Sequence, residues 1–201
     1  MKKVKNHIYE HKKSYFWIFL AIFMVILFFL IMNQEPEEYH VHADFKVIIN
    51  GEDLTNFSNN KYQSTGFNTL HPDVHLHDNN GNVIHHHAEN INFSTFFNSL
   101  NMTLTDTCFL YNSSRYCTNE THKLEFYIND QQVQSLKSYV VEDLDRVLIV
   151  YDTIQTDTTK YLSLVTDESC IQSALCPERG EPSEGSCITG ETCLVDISQI
   201  K

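Results

Sequence analysis

Residues 73–87 read DVHLHDNNGNVIHHH, two stretches in which histidine and aliphatic residues alternate on either side of Asp78-Asn-Asn-Gly81. Alternation with period two predicts a strand on each side, and the turn-forming residues between them predict a hairpin. A type I turn over Asp78 to Gly81, with Gly81 in the positive-φ position of a bulge, makes a three-residue loop. Its register sets Asp78 against Asn82, His77 against Val83, Leu76 against Ile84, His75 against His85 and Asp73 against His87. Side chains two apart in a strand share a face, so His75, His77, His85 and His87 converge on one side and Val74, Leu76 and Ile84 on the other. A slip of one residue would break both assignments together. His86 then belongs to the apolar face as a partly buried structural histidine.

Upstream, residues 40–52 (HVHADFKVIINGE) carry a third His-x-His pair, His40/His42. Val41, Ala43, Phe45, Val47 and Ile49 alternate with His40, His42, Asp44 and Lys46, which predicts a strand with one buried face ending in an Asn50-Gly51 turn. Eight of the eleven histidines therefore fall between positions 40 and 87. Residues 54–70 are polar and read as a surface loop. Further on, Phe93, Phe96, Phe97 and Leu100 stand at helical spacing and predict a short helix laid on the sheet. Leu124, Phe126 and Ile128 alternate in a strand at 123–129, and the apolar run RVLIVY at 146–151 predicts a strand buried on both faces. Sheet, helix and more sheet give an α+β domain.

Residues 15–32 (YFWIFLAIFMVILFFLIM) hold no charge, Gly or Pro over eighteen residues, long enough to cross a bilayer at about 1.5 Å per residue. The run predicts a single transmembrane helix. A cleaved signal peptide is the alternative, but the run exceeds an ordinary h-region and no small-x-small site follows it. Lys2, Lys3, Lys5, Lys12 and Lys13 precede the helix, so residues 1–14 are expected in the cytoplasm, residues 33–39 form a stalk, and everything after about 33 faces outward. The expected organisation is completed by a histidine-rich α+β ectodomain at 40–155 and a Cys-rich tail at 156–201. Five of the 14 Lys and Arg and one of the 26 Asp and Glu lie in residues 1–32, which leaves 9 against 25 beyond them. Such an acidic balance argues against nucleic acid as a partner and raises the local concentration of cations.

All six cysteines, Cys108, Cys117, Cys170, Cys176, Cys187 and Cys193, fall after the apolar run, where disulfides are expected. Cys108 and Cys117 bracket a short polar loop, and the last four admit three pairings. Structural zinc prefers paired cysteines two to four residues apart, a spacing absent here, and no Cys-x-x-Cys suggests thiol redox chemistry. Asn56, Asn92, Asn101, Asn112 and Asn119 lie in glycosylation sequons, of which chance composition explains two or three.

Two resemblances attach to these residues. The segment INDQQVQSLKSYVVEDLDRVLIVY (128–151), with 87–104 before it, resembles the closing strands, strand and helix of a ubiquitin-like β-grasp domain. That resemblance implies a small mixed sheet packed on one helix; the terminal Gly-Gly of sulfur-carrier members is missing, so their chemistry is not implied. The blocks HVHADFKVIINGE, VHLHDNNGNVIHHHA, FFNSLNMTLTDTC and CPERGEPSEGSC resemble those of an uncharacterised family of membrane-anchored proteins from archaea and uncultured bacteria. It implies the anchored topology and a histidine motif, and no catalytic activity.

Two imidazoles from one strand with one or two from its neighbour match the three or four nitrogen ligands of Zn²⁺, Cu²⁺ or Ni²⁺. His75, His77, His85 and His87 are the expected ligands. His40 and His42 complete that set or form a second site, and Asp73, Asp78 and Asp44 are further ligands or acceptors for ring N–H groups. Three functional classes are compatible with this set. One is a surface metal-binding module for capture, transfer or sensing. Another is a metalloenzyme with an open coordination position and Asp78 or Asp73 as base. The last is an adhesion or assembly domain whose histidines, with ordinary pKa of about 6.5, switch an interface with pH. No nucleophile triad or phosphate loop is present.

Overall fold

The structure, a computed structural model, describes residues 16–17, 19–29, 32–33, 39–65 and 69–182. The chain divides into two compact units, Met1–Glu37 and Glu38–Lys201. In the first, residues 16–17, 19–29 and 32 are helical, and their large apolar side chains are exposed. Among the described residues no helix is long and apolar enough to cross a membrane. Residues 15, 18, 30 and 31 of the expected span lie outside the described residues, as do residues 1–14, positions 34–38 of the stalk, Cys187 and Cys193.

The second unit is a mixed α+β domain. β1 (Val41–Ile49) turns at Asn50-Gly51 into the two-residue β2 (Glu52–Asp53), with φ of 51° and 89° at the turn, positive as a tight primed turn requires. β3 (Val74–His75) and β4 (Val83–His86) follow, then helix α1 (Phe93–Ser99). A three-stranded sheet is made by β5 (Met102–Leu104), β6 (Cys108–Tyr111) and β7 (Ser114–Cys117), with Cys108 paired opposite Cys117 and joined to it by a disulfide. β8 (His122–Ile128), β9 (Gln131–Val133) and β10 (Arg146–Thr153) return to the main sheet, whose order is β3-β4-β1-β10-β8-β9. β1 and β10 are parallel neighbours at its centre, and the other pairings are antiparallel.

Helix α1 starts where Asn92 Oδ1 accepts from the Thr95 backbone N–H at 3.0 Å, an N-cap that satisfies one of the free donors of the first turn. It buries Phe93, Phe96 and Phe97 against Phe45 and Phe109, on the sheet face that carries Ala43, Val47, Ile84, Leu124, Phe126, Val147 and Ile149. The opposite face is covered as well. There Ile48, Tyr127, Leu148 and Val150 pack under Tyr161 and Val165, from a 3-10 segment at Thr158–Leu164 and the residue after it. The first half of the Cys-rich tail thus packs onto the sheet, continuing through α2 (Ser169–Gln172) to the Cys170–Cys176 disulfide.

Two expectations are corrected. β1 was expected to bury one face, yet His42 and Asp44 are buried alongside Ala43 and Phe45, because residues 166–173 cover the even side. The hairpin keeps its expected register, with His75 opposite His85 and the His87 N–H donating to Asp73 O at 2.8 Å. Its turn differs. Asp78 and Asn79 take positive φ (57° and 58°) and the Asn80 N–H donates to His77 O at 3.0 Å, so the reversal comes earlier than Gly81. Gly81 serves proximity instead: a Cβ there would stand 2.5 Å from Ser58 N and 2.7 Å from Phe57 C, both backbone atoms. Gly81→Ala should therefore force the 57–58 backbone away and cost about 1–3 kcal/mol in urea unfolding; an unchanged midpoint would contradict this contact.

A candidate metal centre of six histidines

The register of three strands sets out the site as a grid. Across β3, β4 and β1, His75 stands opposite His85 and His85 opposite His42. The same register continues one row outward to Asp73, His87 and His40 and, between β4 and β1, one row inward to Val83 and Asp44, whereas β3 ends at His75 and His77 enters the turn, its carbonyl accepting from the Asn80 N–H. Side chains on one row and two apart along a strand share a face, so the three His-x-His pairs lie side by side.

The rings meet as this grid requires. Ring centroids are 4.5 Å apart for His40 and His42, 4.5 Å for His42 and His85, and 3.6 Å for His77 and His85. They are 5.5 Å apart for His75 and His77, 5.1 Å for His75 and His87, and 4.3 Å for His40 and His87. Six imidazoles thus form a closed circuit. The tightest donor set is His40, His42 and His85, each offering one nitrogen within 4.8 Å of the others. It draws on β1 and on the strand end just before it as well as the hairpin, so the four hairpin residues are not the most compact group.

Hydrogen bonds on the outer side of the rings determine which nitrogen keeps a lone pair. The Ser173 hydroxyl donates to Asp143 Oδ1 at 2.6 Å and so must accept from His42 Nδ1–H at 2.8 Å. His75 Nδ1–H donates to the His71 carbonyl at 3.1 Å, and His77 Nδ1–H to Asp78 Oδ2 at 2.6 Å. In all three rings the proton sits on Nδ1, and Nε2 is left as an acceptor. Those Nε2 atoms, with His87 Nε2 and His85 Nδ1, are buried and have no hydrogen-bond partner among the described residues. Buried ring nitrogens without partners are costly, whereas a ring tied through one nitrogen to a carbonyl or carboxylate and open at the other is the arrangement of metal-bound histidine. The donor set fits a borderline cation such as Zn²⁺, Cu²⁺ or Ni²⁺.

Charge state agrees with this role. Burial pushes His42 down to about 3, His75 to about 4 and His87 to about 3, with neighbouring histidines adding to the effect. His85, 1% exposed, is also held well below the ordinary value, mainly by burial. Neutral imidazole is the form that binds metal.

The acidic residues divide. Asp78 holds His77, as above. Asp44, expected as a further ligand or ring acceptor, spends both oxygens elsewhere: Oδ1 accepts from Thr166 Oγ1 and from the Glu168 N–H at 2.9 Å, and Oδ2 from the Ser169 N–H at 2.8 Å. Asp73 meets the hairpin through its backbone, its N–H donating to His71 Nδ1 at 3.1 Å. His86 lies on the other face, where its Nε2–H donates to Ile91 O at 2.7 Å. Ser173, Asp143 and the His71 carbonyl hold or complete the anchoring of ligand rings, and no local sequence signal marks them. A cleft of about 250 Å³ is lined by Phe45, Lys46, Asp53, Phe57, Gly81 and Asn82 among others, and none of its lining residues is a histidine.

No protein-family model, curated protein or solved structure matches this chain.

The lowered histidine pKa values make stability depend on pH. The folded state binds fewer protons than the unfolded chain, whose histidines titrate at about 6.5. The stability they contribute is complete above that value and is lost as pH falls towards the folded values of about 3 to 4. Thermal melts of metal-free protein should move to lower temperature between pH 7 and pH 5; a flat profile would show that the rings are not buried in the neutral form.

Proposed function

We propose that this protein is a membrane-anchored, extracytoplasmic metal-binding protein that captures, transfers or senses Zn²⁺ or Cu²⁺ through its clustered histidines. The observation that carries the reading is the set of buried, partnerless ring nitrogens facing one another, three of them on rings whose second nitrogen is tied outward. An ion bound among these rings would give partners to the nitrogens that meet at it, which neither a pH-switched interface nor a simple stack of rings would do. The first ion belongs at His40, His42 and His85, whose nitrogens already stand within 4.8 Å of each other.

The apolar run at 15–32 with lysines before it supports a single-pass anchor with the histidines outside, and the acidic balance of the remaining chain favours cations. Likeness to the family of membrane-anchored archaeal and uncultured-bacterial proteins fits the same topology. A β-grasp-like core is supported by the order β4-β1-β10-β8-β9, with β1 and β10 parallel and α1 entering after β4.

Elemental analysis of the full chain, purified without a histidine tag, should find at least one equivalent of Zn or Cu. Replacing His42 and His85 by Gln should remove an equivalent while the far-UV circular dichroism spectrum is kept. A folded wild-type chain that takes up neither metal in calorimetric titration would reject the proposal.

A further inference from the structure

Ser173, the residue that holds His42, stands inside a covalent ring. The Cys170–Cys176 disulfide bridges a sequence separation of 6, with Ser173 at its midpoint. The backbone just before the ring is fixed without it, because Asp44 accepts from the Glu168 and Ser169 N–H groups at 2.9 and 2.8 Å. The ring has little support of its own. Helix α2 runs only from Ser169 to Gln172, too short to persist alone. Its C-terminal turn is closed by the Ala174 N–H on Ile171 O at 3.0 Å and the Leu175 N–H on Cys170 O at 2.9 Å, and puts Ala174 at a φ of 54°. That left-handed conformation is normally given to glycine, and a residue with a Cβ adopts it at a cost. The covalent tie from Cys170 to Cys176 holds the turn closed. So held, the Ser173 hydroxyl accepts from His42 Nδ1–H at 2.8 Å and donates to Asp143 Oδ1 at 2.6 Å.

The two sulfurs differ in their surroundings. Arg179 Nη1 stands 3.2 Å from Cys170 Sγ while donating to Asp167 Oδ2 at 2.7 Å, and Nη2 donates to Asp167 O. Cys176 is instead flanked by exposed residues, Ala174 and Leu175 before it and Pro177 and Glu178 after it. A guanidinium beside a sulfur stabilises the thiolate that the sulfur becomes, and the better leaving thiolate directs attack to its partner. An incoming thiolate therefore bonds to Cys176 Sγ. The S–S bond breaks, and its electron pair leaves on Cys170 Sγ beside Arg179. The second thiol of a dithiol then attacks the external sulfur of the mixed disulfide and releases Cys176. The dithiol is oxidised to a disulfide, the protein disulfide is reduced, and the protons lost by the dithiol are those the two cysteines take up.

We propose that Cys170–Cys176 is an exchangeable disulfide, opened by a dithiol reductant, that controls how firmly His42 is held at the metal site. This rests on the metal-binding reading above and adds the regulation of that site. With the bond open, the turn at Ala174 relaxes and Ser173 leaves His42, whose ring loses its outer anchor. Loss of such a partner lowers metal affinity by about 10–100-fold. The bonds of Asp44 to residues 166, 168 and 169 do not involve the disulfide, so the sheet keeps its form.

The exchange is read on the detergent-solubilised full chain, treated with glutathione and quenched with iodoacetamide. Peptide mass spectra should show glutathione on Cys176 and the alkyl group on Cys170, and Arg179→Gln should spread glutathione over both. Glutathione mainly on Cys170, or no exchange at this bond, overturns the chemistry. Control of the metal is read by calorimetric titration with ZnCl₂. Cys170→Ser/Cys176→Ser should bind zinc about 10–100-fold more weakly than wild type, and Ser173→Ala should match it. Unchanged affinity in the cysteine variant overturns the control, and unchanged affinity in Ser173→Ala overturns Ser173 as its link. Where the cysteine variant loses its thermal transition, the wild-type chain in a glutathione redox buffer decides instead. Because coupling is reciprocal, saturating zinc should lower the reduced fraction of Cys170–Cys176 and leave that of Cys108–Cys117 unchanged. A Cys170–Cys176 fraction that does not fall overturns the control. A wild-type chain that takes up no zinc overturns the metal reading and the control with it, while the adduct position still decides the exchange.

Discussion

The buried carboxylate of Asp44 holds the segment that covers His42. It is 0% exposed, and burying an ionised carboxylate is affordable only when its oxygens are fully bonded, as here by the Thr166 hydroxyl and the Glu168 and Ser169 N–H groups. Opposite it on β10, Arg146 holds the same segment from the other side, donating to the carbonyls of Leu162, Val165 and Thr166. Two charged residues facing each other across the parallel strands thus capture one stretch of backbone. That stretch leads into α2, and α2 delivers Ser173 to His42. Asp44 and Arg146 thereby keep this segment on the even face of β1, beside His42.

Dryness gives the imidazoles their character. Each charged neighbour would raise the cost of charging the next, so desolvation and mutual repulsion act together to hold the rings neutral. A fold that spends its buried space on unpaired acceptors sacrifices stability, and such sacrifices concentrate where a ligand is to be met. On the opposite face of the sheet His86 donates through Nε2–H to a carbonyl and packs edge-on against Tyr39, and its Nδ1 is likewise buried without a partner among the described residues, but it stands apart from the circuit.

Much of this was legible from residue spacing, because the deciding information was local. Parity in 73–87 leads to the observed pairing of His75 with His85, although through a different turn, and the Phe93, Phe96, Phe97 spacing leads to a helix with that buried face. What escaped depends on contacts distant in sequence. Asp44 reads as a further ligand or an acceptor for ring N–H groups because it alternates with His40 and His42; its real partners lie more than 120 residues away. Gly81 reads as the positive-φ residue of the loop, whereas its need for a bare Cα comes from Phe57 and Ser58, brought close by the fold. The compact trio likewise hinges on β1 being the second neighbour of β4, which no hairpin rule states. Its hydroxyl anchor, Ser173, sits in a stretch without any motif.

The parallel pairing of β1 with β10 sets the order in which this molecule can be finished. Parallel neighbours so far apart along the chain close a long loop, and such contacts form late and slowly. All six histidines of the circuit are made by position 87, but β10 and the segment over His42 come only after position 145. During synthesis the imidazoles spend an interval hydrated and accessible, and the last strand to arrive shuts them in. Whatever the nascent chain has picked up by then is enclosed with them.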